Sequence, residues 1–217
     1  MKKLHNLLIA SVALMGGMIA TSVTASALVV TIPENLTLEL APIKTYQQTT
    51  NSPCVIGESS CKGSLPLTLL PNNNPPNGWS DIYSPLYTVD QLDDYISGAF
   101  FIGIDINQTV NAQTLVSFVM LVNGLQVFAF DTTTVVPSQQ NGNGFADYLL
   151  KGFTLANLAL TDTVQFNLNF TGQNDGKEQF FLIDSDAPPI PVPAALPLLL
   201  TGLGGLGWLA RRRARKA

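Results

Sequence analysis

Carboxylates are the main side chains in the central part of this chain with the means for acid–base chemistry. Asp105, Asp175 and Glu178 are the set from which a glycosidase would be assembled. Cleaving a glycosidic bond takes one carboxyl as acid and a second as base or nucleophile. Asp175 lies in the turn segment Gly172-Gln173-Asn174-Asp175-Gly176 and Glu178 just after it, and turn chemistry accounts for them equally well. A second chemistry open to the same residue types is calcium binding through oxygen ligands. Asp105 and Asn107 lie two apart on one strand face, Asp147 follows the Asn141–Gly144 loop, and Asp184 and Asp186 form a D-x-D. Asp105, Asn107, Asp184 and Asp186 are therefore the candidate calcium ligands, although none fits the EF-hand loop pattern. Trp79 and Tyr83, with Tyr87 nearby, are candidates for stacking on a sugar ring; the same rings would equally pin a loop onto a core.

What is missing decides more. The only histidine is His5, and all four arginines lie at or after position 211. Between residues 28 and 187 the chain holds all 15 carboxylates against four lysines (Lys44, Lys62, Lys151 and Lys177), a formal charge of −11. Without histidine there is no Ser-His-Asp or Cys-His arrangement and no histidine-bearing metal site. Without arginine there is no bidentate clamp for phosphate. So acidic a body repels nucleic acid. Most enzyme classes are thereby excluded, and a non-catalytic body is expected.

Cys54 and Cys61 are the only cysteines. In an exported protein such a pair is read as a disulfide, and the absence of C-x-x-C spacing argues against a redox dithiol.

These residues need elements to hold them, and the elements read as strands. Val164, Phe166, Leu168 and Phe170 alternate with Gln165, Asn167, Asn169 and Thr171. That period of two gives one buried and one wet face. Residues 178–184 are expected to return from the 172–176 turn as the partner strand. Leu115–Val122 and Leu125–Phe130 flank Asn123-Gly124, a strong hairpin signal because both residues tolerate positive φ. Ala99–Asn107 is a further strand with Ile102, Ile104 and Ile106 on its apolar face. Short strands are expected at Leu28–Ile32 and Leu36–Leu40. Thr88 and Gln91 form a capping box for one short helix through Ile96. Residues 62–85 and 139–144 are expected to be surface loops. About eight strands joined by turns predict an all-β fold, an antiparallel β-sandwich of jelly-roll-like kind.

The two ends read as addresses. Lys2 and Lys3, an apolar run over 7–19, and Ala25-Ser26-Ala27 are the three parts of a secretory signal peptide, with Ala25 and Ala27 as the small residues before the cut. A signal helix over 1–27, removed by signal peptidase, is expected. At the other end a proline-rich spacer (187–193) precedes an uncharged stretch (194–210) and a basic tail (211–217). A helix over 194–210 would be about 25 Å long, enough to cross a bilayer core. The arginines hold the tail in the cytoplasm. The ectodomain is then 28–186.

Pro191-Val192-Pro193-Ala194, an apolar glycine-rich helix, and Arg211-Arg212-Arg213 in this order resemble the PEP-CTERM sorting signal, in its VPLPA-CTERM variant. The resemblance covers about 30 residues. It implies an exosortase-type membrane protease as partner and processing near the Pro-x-Pro motif. It also implies a Gram-negative bacterium that makes exopolysaccharide. Val192 stands where the variant has leucine, and Ile190 where valine is usual. The layout predicts an exported protein, anchored in the inner membrane with its body in the periplasm, then sorted to the cell surface or extracellular matrix. A module that contacts exopolysaccharide is the alternative function, and a carboxylate-dependent glycosidase a third.

Overall fold

The computed structural model describes residues 36–71, 78–107, 112–172 and 177–188. The expected signal peptide with Ala25 and Ala27, the sorting motif, the 194–210 helix and the basic tail lie outside these residues. Among the described residues no helix is long and apolar enough to cross a membrane.

Twelve strands and one short helix follow one another along the described chain: β1 (Thr37–Leu40), β2 (Cys54–Gly57), β3 (Thr68–Leu69), β4 (Trp79–Tyr83), β5 (Tyr87–Thr88), α1 (Val89–Asp93), β6 (Ala99–Asp105), β7 (Gln113–Val122), β8 (Leu125–Phe130), β9 (Thr134–Val136), β10 (Tyr148–Thr154), β11 (Thr163–Thr171) and β12 (Gln179–Asp184). One sheet runs β1-β10-β6-β12-β2-β3. The other runs β4-β11-β7-β8, with β5 also on β11 and β9 also on β7. Every pairing is antiparallel except β2 with β3.

The sheets pack face to face, and aromatic rings fill the space between them. Phe118 of β7 stacks on Phe180 of β12 at 6.0 Å, Phe100 of β6 meets Phe166 of β11 edge-on at 6.3 Å, and Phe128 of β8 meets Phe153 of β10 at 5.9 Å. The fold is thus an all-β sandwich. Local signals hold where they concern a strand and its turn. Asn123 and Gly124 have φ of 51° and 78°, closing the β7–β8 hairpin. The Thr88 side chain accepts from the Gln91 N–H, and Gln91 answers onto the Thr88 N–H.

Three expectations are corrected. β11 and β12 do not form a hairpin: β11 lies in one sheet and β12 in the centre of the other. The reason is visible in β12 itself, where Phe180, Phe181, Leu182 and Ile183 are all buried, so both faces of the strand need cover. Residues 62–85 are not simply a surface loop, since β3 and β4 form there and Leu70 and Trp79 are buried. The second face of β6 is also not wet. Ala41, Cys54, Ala146, Leu149, Phe181 and Ile183 form a second apolar cluster on that side of the sheet, joined by Tyr46, Cys61 and Phe101.

The segment between β1 and β3 supplies much of this second cover, and the Cys54–Cys61 disulfide pins it. Closing so short a loop contributes about 2–3 kcal/mol. The Gln48 side chain adds two bonds to the backbone of Lys62, one donated at 2.5 Å and one accepted at 3.0 Å. Opposite, Gly103 lets the Phe181 ring lie directly over the β6 backbone. A Cβ there would stand 2.7 Å from the ring and 2.8 Å from Ile183 Cδ1. Both side chains are buried, so making room for a methyl group would require them to shift within packed surroundings. Gly103→Ala is therefore expected to cost about 1–3 kcal/mol by overpacking, lowering Tm by about 2–4 °C per kcal/mol in a thermal melt. An unchanged Tm would show that the ring does not rest on the backbone in this way.

Candidate functional site

The strongest concentration of polar chemistry in the described residues lies at one end of the β6–β12 pair. Asp105 closes β6, Gln179 opens β12 directly across from it, and Glu178 precedes Gln179. Gln113 starts β7, and Asn141 and Asp147 bracket the loop that leads into β10. All six side chains are at most 2% exposed.

Burial removes these carboxylates from water, so backbone N–H groups replace it. Asp105 accepts from the Gly144 N–H at 2.6 Å. Asp147 accepts from Ile106 at 3.0 Å and Asn141 at 3.4 Å. Glu178 accepts from the Asn107 N–H at 2.6 Å and from the Gln113 side-chain amide. The Gln179 amide donates to Glu58 Oε1 at 2.9 Å and to Asn143 Oδ1 at 3.0 Å. Asn141 donates to the Ala146 carbonyl at 2.9 Å. The carboxylates thus hold three segments together: the end of β6, the start of β12 and the 139–147 loop.

Electrostatics are set by burial without a counter-charge. Burial pushes the Asp105 carboxyl up to about 7. The Gly144 bond opposes the rise, and the like charges of Asp147, Glu178 and Glu58 add to it. Burial also raises Asp147, against its backbone bonds. A cleft of about 360 Å³ opens beside this network, lined by Asp105, Asn107, Ser138, Gln140, Gly142 and Asn143.

The candidate calcium ligands are divided between two places. Asp105 pairs with Gln179 at the start of β12, whereas Asp184 ends that strand, about 17 Å away at 3.3–3.4 Å per residue. Asp105 with Asn107, and Asp184 with Asp186, therefore stand at opposite ends of one sheet and form no common site. Asp184 is taken up by Ser97, through its N–H at 3.0 Å and its hydroxyl at 2.9 Å, and by the Asp186 N–H at 2.9 Å. Asn107 spends its side-chain amide on the Lys177 carbonyl. Among the described residues no three carboxylate, histidine or cysteine side chains converge as metal ligands would.

Of the two candidate sugar contacts, Trp79 is corrected. Trp79 is 2% exposed and stacks on Phe170 with ring centroids 6.4 Å apart. Tyr87 is buried and donates to the Pro66 carbonyl at 2.7 Å. Tyr83 alone is exposed. Bulk and apolarity draw a Trp into the sheet interface when a Phe waits on the neighbouring strand. Of the glycosidase candidates, Asp105 and Glu178 come together, buried and hydrogen-bonded, and Asp175 lies outside the described residues. Glu58, Gln113, Asn141 and Gln179 were missed by sequence reasoning. The available signal was Glu178-Gln179 abutting Phe180-Phe181-Leu182-Ile183: polar residues at the mouth of a strand too apolar to be an edge.

Two outcomes follow. Glu178→Ala leaves a part-buried Asn107 N–H and a buried Gln113 amide without this acceptor, and is expected to cost about 2–3 kcal/mol in urea unfolding. A loss under about 0.5 kcal/mol would contradict the role given to Glu178. For Asp105, the folded pKa of about 7 exceeds the ordinary 3.8, so the folded state holds the extra proton between those values. Its stabilisation is full below about pH 4 and is lost as pH rises through about 7. Urea midpoints measured across that window should fall for the parent chain and stay flatter for Asp105→Asn; a parallel fall in both would remove Asp105 as the source.

Comparison with family models, with curated proteins and with solved structures finds no match to this chain.

Proposed function

We propose that the chain is an exported surface or matrix protein with a non-catalytic sandwich body. A signal peptide (1–27) directs export, the 194–210 helix and its basic tail hold the body outside the inner membrane, and an exosortase-type protease acts at Pro191-Val192-Pro193-Ala194. The observation that carries the reading is the Cys54–Cys61 disulfide, closed within the second apolar cluster. Such a bond is formed and kept where the surroundings are oxidising. The body's charge of −11 and its lack of histidine and arginine agree with a structural or contact role. Repeated sheet changes along the chain, from β6 to β7 and again through β10, β11 and β12, support the jelly-roll-like form of the sandwich. The buried position of Trp79 removes the main support for sugar stacking, so exopolysaccharide contact through that residue is not proposed.

Deleting residues 191–217 and fractionating the cells tests the reading. The truncated body is expected in the soluble periplasmic fraction, with its surface and matrix signal reduced to background. Normal surface or matrix levels would overturn the sorting assignment, and intact mass of the native protein would locate both cuts.

A further inference from the structure

We propose that Asp105 and Gln179 form a proton-operated latch on the 140–143 part of the loop: with a proton on Asp105 the Gln179 amide holds Asn143 down, and when the proton leaves the amide turns over and lets the loop rise from the cleft. Asp105 and Gln179 are direct cross-strand partners, so their side chains share one face of the sheet. In the observed arrangement the Gln179 Nε2 serves Glu58 and Asn143. Its Oε1 is buried with no hydrogen-bond partner among the described residues. A protonated Asp105 supplies the missing donor: one oxygen keeps the Gly144 N–H, and the O–H on the other donates a hydrogen bond to Gln179 Oε1.

Loss of that proton reverses what Asp105 wants. Two bare oxygens in a buried setting repel each other, and an ionised carboxylate demands a donor. The nearest change that gives Asp105 a donor is a half-turn of the Gln179 amide, which brings Nε2 to Asp105 and turns Oε1 onto the oxygens of Glu58 and Asn143, so that Asn143 is repelled where it had been held. The charged groups facing Asp105 resist ionisation from every side: Asp147 ahead of β10, Glu178 ahead of β12 and Glu58 after β2, all negative. Among the described residues the one salt bridge, Lys151 with Glu39, lies elsewhere. Titration of Asp105 near neutrality puts the change within reach of ordinary pH variation.

The loop is built to move in one part only. Residues 144–146 are stitched by backbone bonds to Tyr46 and Gln48, through Gln48 N–H to Gly144 at 2.7 Å and Ala146 N–H to Tyr46 at 2.9 Å. Residues 140–143 have no such stitching to that segment, and with Asn141 buried and tied to Asp147 and Ala146 the residues freest to rise are 142 and 143. A Cβ built on Gly142 would meet nothing within 4 Å.

The test is amide hydrogen exchange on the full chain in detergent, read on peptides covering 139–147 and corrected for intrinsic rates. In the parent chain exchange is expected to be at least about tenfold faster at about pH 8 than at about pH 5. Asp105→Asn keeps a donor for Gln179 Oε1 and an acceptor for Gly144 at every pH, so its loop should stay protected throughout. Equal protection of the parent chain at both pH values, or an unchanged response in Asp105→Asn, overturns the latch. So does restoration of protection by calcium at the higher pH, which would mark the cleft as a cation site. If the variant does not fold, a ¹³C titration of the Asp105 carboxyl in the parent chain decides. A midpoint near neutrality that coincides with loop release supports the latch, and one below about pH 5 overturns it.

Discussion

Covering both faces of β12 is the constraint on which the rest of this fold depends. Phe180 and Leu182 face the other sheet, while Phe181 and Ile183 face away from it, and all four are buried. Burying side chains of this size stabilises by about 1.5–3 kcal/mol each, so leaving one face of β12 wet would forfeit several kcal/mol. One face is covered by the opposing sheet and its phenylalanines. The other needs a third layer, which the segment from Ala41 to Cys61 provides. Glycine at 103 belongs to the same solution, because the cover comes so close that β6 has no room for a side chain beneath Phe181.

The third layer also explains why carboxylates are buried. Asp105 and Gln179 stand on the covered face, so the cover that hides Phe181 hides them too. Burial opposes their charge, and backbone N–H groups offset part of that cost. Asp147 and Glu178 each accept from at least two donors, and these donors belong to segments that must be held at the end of the sheet. Here polar satisfaction and loop placement are one arrangement. Asp105 has a single backbone donor and three negative neighbours, and its ionisation is the least well supported.

Local patterns were legible in the sequence where a strand reports on itself. The alternation in β11, the Asn123-Gly124 turn, the Thr88 capping box and the cysteine pair each depend on neighbours a few residues away. What the alternation in β6 could not carry was the identity of the layer above it: Gly103, Asp105 and Asn107 look like a wet face until residues 41–61 arrive. The unbroken apolar run of β12 held the opposite information, since a strand without alternation belongs in a sheet's interior. Placing it after a turn suggested a hairpin, and that local rule yielded to the demand for two covered faces. Trp79 was misplaced for a related reason, because the Pro- and Asn-rich residues around it masked a strand that pairs with β11.

The central place of β12 also bears on when the sheet can form. β6 and β2 are neighbours only through β12, whose residues come last in the described chain. Until that strand arrives, β1, β10 and β6 cannot be joined to β2 and β3, and the second apolar cluster lacks Phe181 and Ile183. Pairings so distant in sequence close slowly. A chain emerging from its N-terminus would therefore hold the strands of the second sheet before the first sheet could close, because the strand that joins the two halves of the first sheet comes after all the others.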